Sequence, residues 1–256
     1  MFYVYRGDLL YKSITQKGNW YPLLDMQWYN GVQTFRYWSP IPEYIMAGCQ
    51  AIMGGSSFDG YLLFVGLICF FSSVVWLYIG YTHDRPWMGA FLGGLWFFTP
   101  NNLFMLFRAG VVVRSLSTVF LPLYVVYLHD YLMEKRWSAL PKMMVCFIIM
   151  LMFHLGWAGM IAITTLLFLF FYCLVYRRDQ RGSCLNVIIA ILLCFIIPGI
   201  WVLPSLLGGI TGIDSSQVMA NHFRSLNATL NPFYTMVEGK GRWDFGNECD
   251  YFGIVT

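Results

Sequence analysis

From Tyr61 to Leu207 the chain is a succession of apolar runs separated by short turns that carry Arg and Lys. A helix of about 20 apolar residues crosses the ~30 Å hydrocarbon layer of a bilayer, so runs of this kind leave few folds open. They read as Tyr61–Tyr81, Trp87–Phe98 (stopping at Thr99-Pro100), Val111–Leu132, Met143–Trp157, Ala158–Tyr176 and Leu185–Leu207, the last interrupted by Pro198 and Pro204. Charged residues make up 11% of the chain and its mean hydropathy is +0.59. A soluble domain carries about 25% charge. The expected class is an all-α polytopic membrane protein with about six transmembrane helices.

The turns predict an orientation. Arg85, then Lys135, Arg136 and Lys142, then Arg177, Arg178 and Arg181 place seven of the 16 Lys and Arg in three short loops. In the six-span reading these loops share one side, and such an excess marks the cytoplasm. The first 57 residues, the Thr99–Val112 turn, the turn at His154 and the tail after Gly208 then face outward. Three regions follow: an extracytoplasmic arm over 1–57, a helical bundle over 58–207, and an outer loop over 208–256 leading into a further span. Tyr251–Thr256 reads as the first turn of that span, and no span precedes the arm, so the chain is expected to be a fragment of a longer protein. The cell membrane is the expected location, multi-pass, with the bacterial plasma membrane as its setting.

The arm is the least membrane-like stretch. Residues 3–17 suit an interfacial amphipathic helix with Tyr3, Leu10 and Ile14 on one face and Arg6, Lys12 and Lys17 elsewhere, ended by Gly18. Pro42–Met53 predicts a second short helix, with Glu43 favoured at its start by the helix dipole. Between them lies an aromatic loop holding Asp25, Asn30 and Arg36 among Trp20, Trp28 and Trp38. The net charge of +3 and the lack of a basic tract give no argument for nucleic acid. No zinc or calcium spacing is present, so neither a metal nor another cofactor is expected. Four of the seven cysteines lie in apolar runs and act as small apolar side chains, while Cys49 and Cys249 have a chance of meeting outside the membrane.

Several polar residues are candidates for chemistry, each with a plainer reading beside it. Asp25 and Asp8 are candidate catalytic carboxylates: an acid among aromatic rings has a raised pKa and can deprotonate a hydroxyl. Equally, Asp25 can order a turn and Asp8 can be a solvated helix residue. Arg36, Arg108 and Arg114 are candidates for holding phosphate, because the guanidinium fork matches two phosphate oxygens. The plainer reading is an Arg reaching to the interface. His154 ends an apolar run, which marks it as functional or as a satisfied interfacial histidine. Trp28, Asn30 and Trp38 are candidate sugar contacts, against an aromatic belt. His222, Asp244, Glu248 and Asp250 could shape an acceptor site or lie in solvated loop. Asn227-Ala228-Thr229 matches the glycosylation acceptor pattern, a common chance occurrence.

The stretch WYPLLDMQWYNGVQTFRYWSPIPEYIMA resembles the first extracytoplasmic loop of bacterial 6-pyruvoyl-tetrahydropterin synthase-related integral membrane proteins. The likeness rests on Trp20-Tyr21-Pro22, Gly31, Phe35, Tyr37-Trp38 and Pro40-Ile41-Pro42. Thr99-Pro100 through Arg114, Leu121-Pro122-Leu123 and Phe153-His154-Leu155 extend it over most of Gly18–Tyr176. These proteins look like C-type (GT-C) glycosyltransferases. The resemblance implies transfer of a sugar from a polyprenyl-phosphate-linked donor to an acceptor on the outer face of the membrane, in the cell envelope. It also implies an acid just after a first span and beside a His. This chain has no such span and no Asp-His pair at its start, so the equivalent acid is expected upstream of Met1. Two other readings stay open: a lipid or small-solute transporter or flippase, because broken spans are used in transporters, and a non-catalytic remnant.

Overall fold

The structure, a computed structural model, describes residues 2–22, 35, 39–103, 106, 111–176 and 181–207. Among these residues all regular structure is helical. Helix α1 spans Phe2–Lys17 and ends at Gly18, whose φ of +63° is the left-handed conformation that glycine adopts at a helix end. Helix α2 spans Ile41–Ile52, entered through Pro40 and Pro42, whose preset φ suits a first turn. Gly54 and Gly55, at φ +67° and +91°, then reverse the chain. Ser56 caps α3 (Ser57–Thr82) by accepting the Asp59 N–H at 3.3 Å. After α3 come α4 (Pro86–Phe97), α5 (Pro100–Leu103), α6 (Val112–Thr118), α7 (Leu121–Leu132), α8 (Ala139–Phe153), α9 (Leu155–Tyr176), α10 (Arg181–Cys194) and α11 (Ile196–Leu207).

Segment lengths among the described residues support three or four of the expected six spans. Among these residues three stretches are long and apolar enough to cross a bilayer: Ser57–Thr82, Val112–Leu132 and Leu155–Val175. A fourth is reached if Gly182–Cys194 and Ile196–Pro204, bent by 41° where they meet, count as one. Helix α4 has 12 residues and α8 has 15. At 1.5 Å per residue they extend roughly 18 and 22 Å, short of a ~30 Å layer. The break expected over His154–Trp157 falls at His154, which sits in extended conformation at φ −151° and ψ 94°.

The helices meet through close approaches and buried hydrogen bonds. At Gly60 a Cβ would come within 2.6 Å of the Gln50 Cα, so α2 and α3 touch backbone to backbone. At Gly89 a Cβ would lie 2.5 Å from the Trp76 carbonyl, and α4 lies as closely on α3. In the bundle, Tyr124 and Thr165 share a hydroxyl bond of 2.9 Å, and Ser117 donates to the Met150 carbonyl at 3.2 Å. Such bonds matter between apolar helices because lipid offers polar groups no substitute. Tyr124, Phe147, Met143, Met150 and Leu151 form the centre of the core they surround.

The same contacts define two ends of the bundle. Tyr172 donates to the Leu132 carbonyl at 3.3 Å, Asn186 donates to the Tyr131 hydroxyl at 3.0 Å, and Tyr127 lies beside Tyr78. The C-terminal ends of α3, α7 and α9 and the start of α10 are therefore gathered together, with the turns after α3 and α7 among them. At the other end Phe120 stacks near Phe153, with ring centroids 5.9 Å apart. Helices α1 and α2 approach this second end.

Candidate functional site

Gly7 allows the site to form. A Cβ there would meet Met46 Sδ at 2.8 Å, so α1 and α2 approach closely along the line that joins Arg6 to Glu43. Arg6 Nη1 lies 2.9 Å from Glu43 Oε1, and both side chains are 1% exposed. Arg6 was expected away from the buried face of α1. It lies instead on that face, because positions 3, 6 and 10 fall along one side of a helix. The Phe35 ring lies 5.4 Å from the Arg6 guanidinium carbon and helps enclose it.

Burial strains this pair. It pushes the Glu43 carboxyl above the usual carboxylate range, with Arg6 and the residue's own backbone N–H pulling it back. It also pushes the Arg6 guanidinium below its ordinary value, with Glu43 and Tyr3 opposing. Two desolvated charges recover little net stability by pairing, since desolvation offsets most of the attraction. Such an arrangement in a cavity wall is a reason to look for function.

The pair borders a cavity of about 270 Å³. Tyr3, Arg6, Ser39 and Glu43 supply its wall from the N-terminal helices. Val113 of α6, Phe153 to Gly156 at the α8–α9 break, and Trp201 of α11 supply the wall from the bundle. One side is thus polar and charged and the other largely apolar. The cavity lies at the end of the bundle away from the turns after α3 and α7.

His154 is held at the break by the start of α9. The Trp157 N–H donates to His154 Nδ1 at 3.0 Å, which satisfies one of the open donors of a helix N-terminus. With Nδ1 accepting, the neutral ring carries its proton on Nε2. Burial lowers the pKa of His154, and the charge of Arg114 lowers it further, so the ring stays neutral at pH 7. The Arg114 guanidinium carbon lies 4.2 Å from the centroid of the Trp157 ring, a close cation–π contact. A cation, a neutral imidazole donor and an indole therefore adjoin one another beside the cavity.

Of the residues singled out from sequence, His154 lines the cavity and Arg114 lies next to it. Asp8 accepts from Lys12 at 2.6 Å and from Gln50 at 2.9 Å, which ties α1 to α2, and it is not among the lining residues. Asp25, Trp28, Asn30, Arg36, Trp38 and Arg108 lie outside the described residues, as do His222, Cys249 and the whole tail after Leu207. Cys49 is buried against the core around Met46 and Phe64. Among the described residues no group of three His, Cys, Asp or Glu is placed to hold a metal. Arg6 and Glu43 were not foreseen as a pair. The available signals were the position of Arg6 beside Tyr3 and Leu10, and an acid directly after Pro42.

Residues 35–255 match the family described as 6-pyruvoyl-tetrahydropterin synthase related domain, a membrane protein. The match covers most of the chain, and the chain belongs to this family. It takes in Glu43, Arg114 and His154, while Arg6 and Asp8 precede it. Comparison with curated proteins and with solved structures gives no significant match.

Proposed function

We propose that this member of the 6-pyruvoyl-tetrahydropterin synthase-related membrane family is a GT-C-like glycosyltransferase. It moves a sugar from a polyprenyl-phosphate-linked donor to an acceptor on the outer face of the membrane. The observation that carries the reading is the two-sided cavity. Its charged wall holds Arg6 and Glu43, and its largely apolar wall holds Val113, Phe153, Leu155 and Trp201 with a neutral His154 among them. A lipid phosphate has this division of chemistry. Guanidinium groups match phosphate oxygens, and aliphatic and aromatic side chains match isoprene units.

In this reading the phosphate sits near Arg6, with Arg114 and the Nε2–H of His154 adding positive potential. A carboxylate takes the acceptor's proton. Asp25, Asp8, Arg36 and Arg108, with Trp28, Asn30 and Trp38 as sugar contacts, remain part of the proposal on the strength of the sequence alone. Membranes containing the protein should transfer radiolabelled sugar from a polyprenyl-phosphate donor, and Arg6→Gln and His154→Ala should each slow transfer about tenfold or more. No transfer by wild type, or unchanged rates in both variants, would remove the reading.

A second reading is supported by the 41° bend between α10 and α11, with Trp201 of α11 on the cavity wall. Broken helices at a binding site suit a transporter or flippase. Movement of a fluorescent lipid phosphate across vesicles containing the protein, without sugar transfer, would favour it.

A further inference from the structure

The cavity wall contains a contradiction that the transferase reading alone does not resolve. Arg6 and Glu43 are the natural partners of a phosphate and of a hydroxyl proton, yet each neutralises the other. We propose that this ion pair closes the empty site: a phosphate entering the cavity takes over the Arg6 guanidinium, and Glu43, deprived of its counter-ion, becomes the base for the acceptor hydroxyl. This rests on the transferase reading and deepens it by making donor binding the switch for the base.

Three observations carry it. Arg6 Nη1 lies 2.9 Å from Glu43 Oε1, and an entering phosphate, whose oxygens match a guanidinium, competes for that same donor. Glu43 Oε2 is buried with no hydrogen-bond partner among the described residues, which leaves it an acceptor for a hydroxyl proton. Both side chains line the cavity, within reach of what enters it.

Charge supplies the driving force. The empty pair is neutral. A phosphodiester adds one negative charge, and Arg6 then faces two anions. Glu43 gains affinity for a proton because a like charge now lies beside it. In the transfer step the acceptor oxygen bonds to the sugar's anomeric carbon, the bond from that carbon to the phosphate oxygen breaks, and the acceptor proton goes to Glu43. The polyprenyl phosphate leaves with the bonding electrons and stays on Arg6 until it departs, whereupon Glu43 loses its proton and closes on Arg6 again.

The test measures equilibrium binding of radiolabelled farnesyl phosphate to the full chain in lipid nanodiscs, with farnesol and inorganic phosphate as competitors. Wild type should bind farnesyl phosphate and be displaced by neither competitor. Glu43→Gln should bind it about threefold more tightly, because a competing anion has gone, while losing sugar transfer. Arg6→Gln should bind about tenfold more weakly or worse. The exchanged variant, Arg6→Glu with Glu43→Arg, guards against simple misfolding: it should recover thermal stability but not transfer. Weaker binding in Glu43→Gln, or full transfer in the exchanged variant, would overturn the switch and leave the pair structural. A folded wild type that binds no farnesyl phosphate would overturn the donor reading itself. Displacement by inorganic phosphate at equal concentration would keep the anion switch and overturn the lipid-linked source.

Discussion

The backbone N–H of Trp157 donates to Nδ1 of His154 at 3.0 Å, which makes a histidine the cap of the 22-residue helix α9. The ring is therefore both a structural fastener and part of a cavity wall. Its protonation is opposed twice, by burial and by Arg114, and would also remove the acceptor that Trp157 needs.

This has a consequence for stability against pH. A base whose folded pKa is depressed binds its proton more weakly folded than unfolded. Its contribution is complete above the unfolded value, about 6.5 for histidine, and is lost as pH falls through the lower folded value. Thermal unfolding in nanodiscs should show stability falling as the sample is acidified below about pH 6.5. His154→Asn keeps a side-chain acceptor without the titration, and should flatten that part of the profile. An unchanged profile in His154→Asn would place the acid sensitivity elsewhere.

Gly60→Ala should be costly. The added methyl would meet the Gln50 backbone at 2.6 Å, and backbone does not move aside as a side-chain tip does. Overpacking of this kind costs about 1–3 kcal/mol. Because Gln50 also donates to Asp8 at 2.9 Å, the displacement would loosen α1. Limited proteolysis within α1 should accelerate in this variant. Gly66→Ala, where a Cβ meets open space, serves as the neutral control.

Thr165→Val removes the partner of the buried Tyr124 hydroxyl while preserving shape. Bonds between helices in an apolar bundle are worth about 1 kcal/mol. The expected result is a loss of that size in unfolding measurements, with no change in ligand binding, since neither residue lines the cavity. A larger loss would mean that the pair sets the α7–α9 register.

Arg114→Lys retains the charge but gives up the flat guanidinium that covers the Trp157 ring at 4.2 Å. Arg114→Ala gives up both. Transfer should fall in the order wild type, Lys, Ala, with Ala lower by about tenfold or more. Equal rates in Lys and Ala variants would mean that the stacking, rather than the charge, is what the site uses.

The two ends of the bundle should also lie on opposite sides of the membrane. Trp137 in the turn after α7 and Trp20 after α1 are both well exposed. A cysteine introduced at each should react with an impermeant maleimide from opposite faces of sealed vesicles, Trp137→Cys from the cytoplasmic face. Labelling of both from one face would place the cavity on the wrong side for outer-leaflet chemistry.

Local sequence determined much of this protein. Gly18, Pro42, the Ser56–Asp59 cap, Pro86, Pro122 and the break at His154 each start or stop a helix through their own backbone chemistry, within a turn or so of where they sit. The apolar runs and scarce charge made the class plain for the same reason: transfer into lipid is a property of composition along one segment. Pairings between segments were not legible. Arg6 and Glu43 are far apart in sequence, and each is unremarkable on its own helix. What unites them is how closely α1 lies on α2, decided by the missing side chain at Gly7 and the bulk of Met46, and a one-dimensional pattern does not record that distance. The short helices α4 and α8 are the opposite case: the apolar runs Trp87–Phe98 and Met143–Trp157 already carried their lengths, because those are fixed by breakers along one segment.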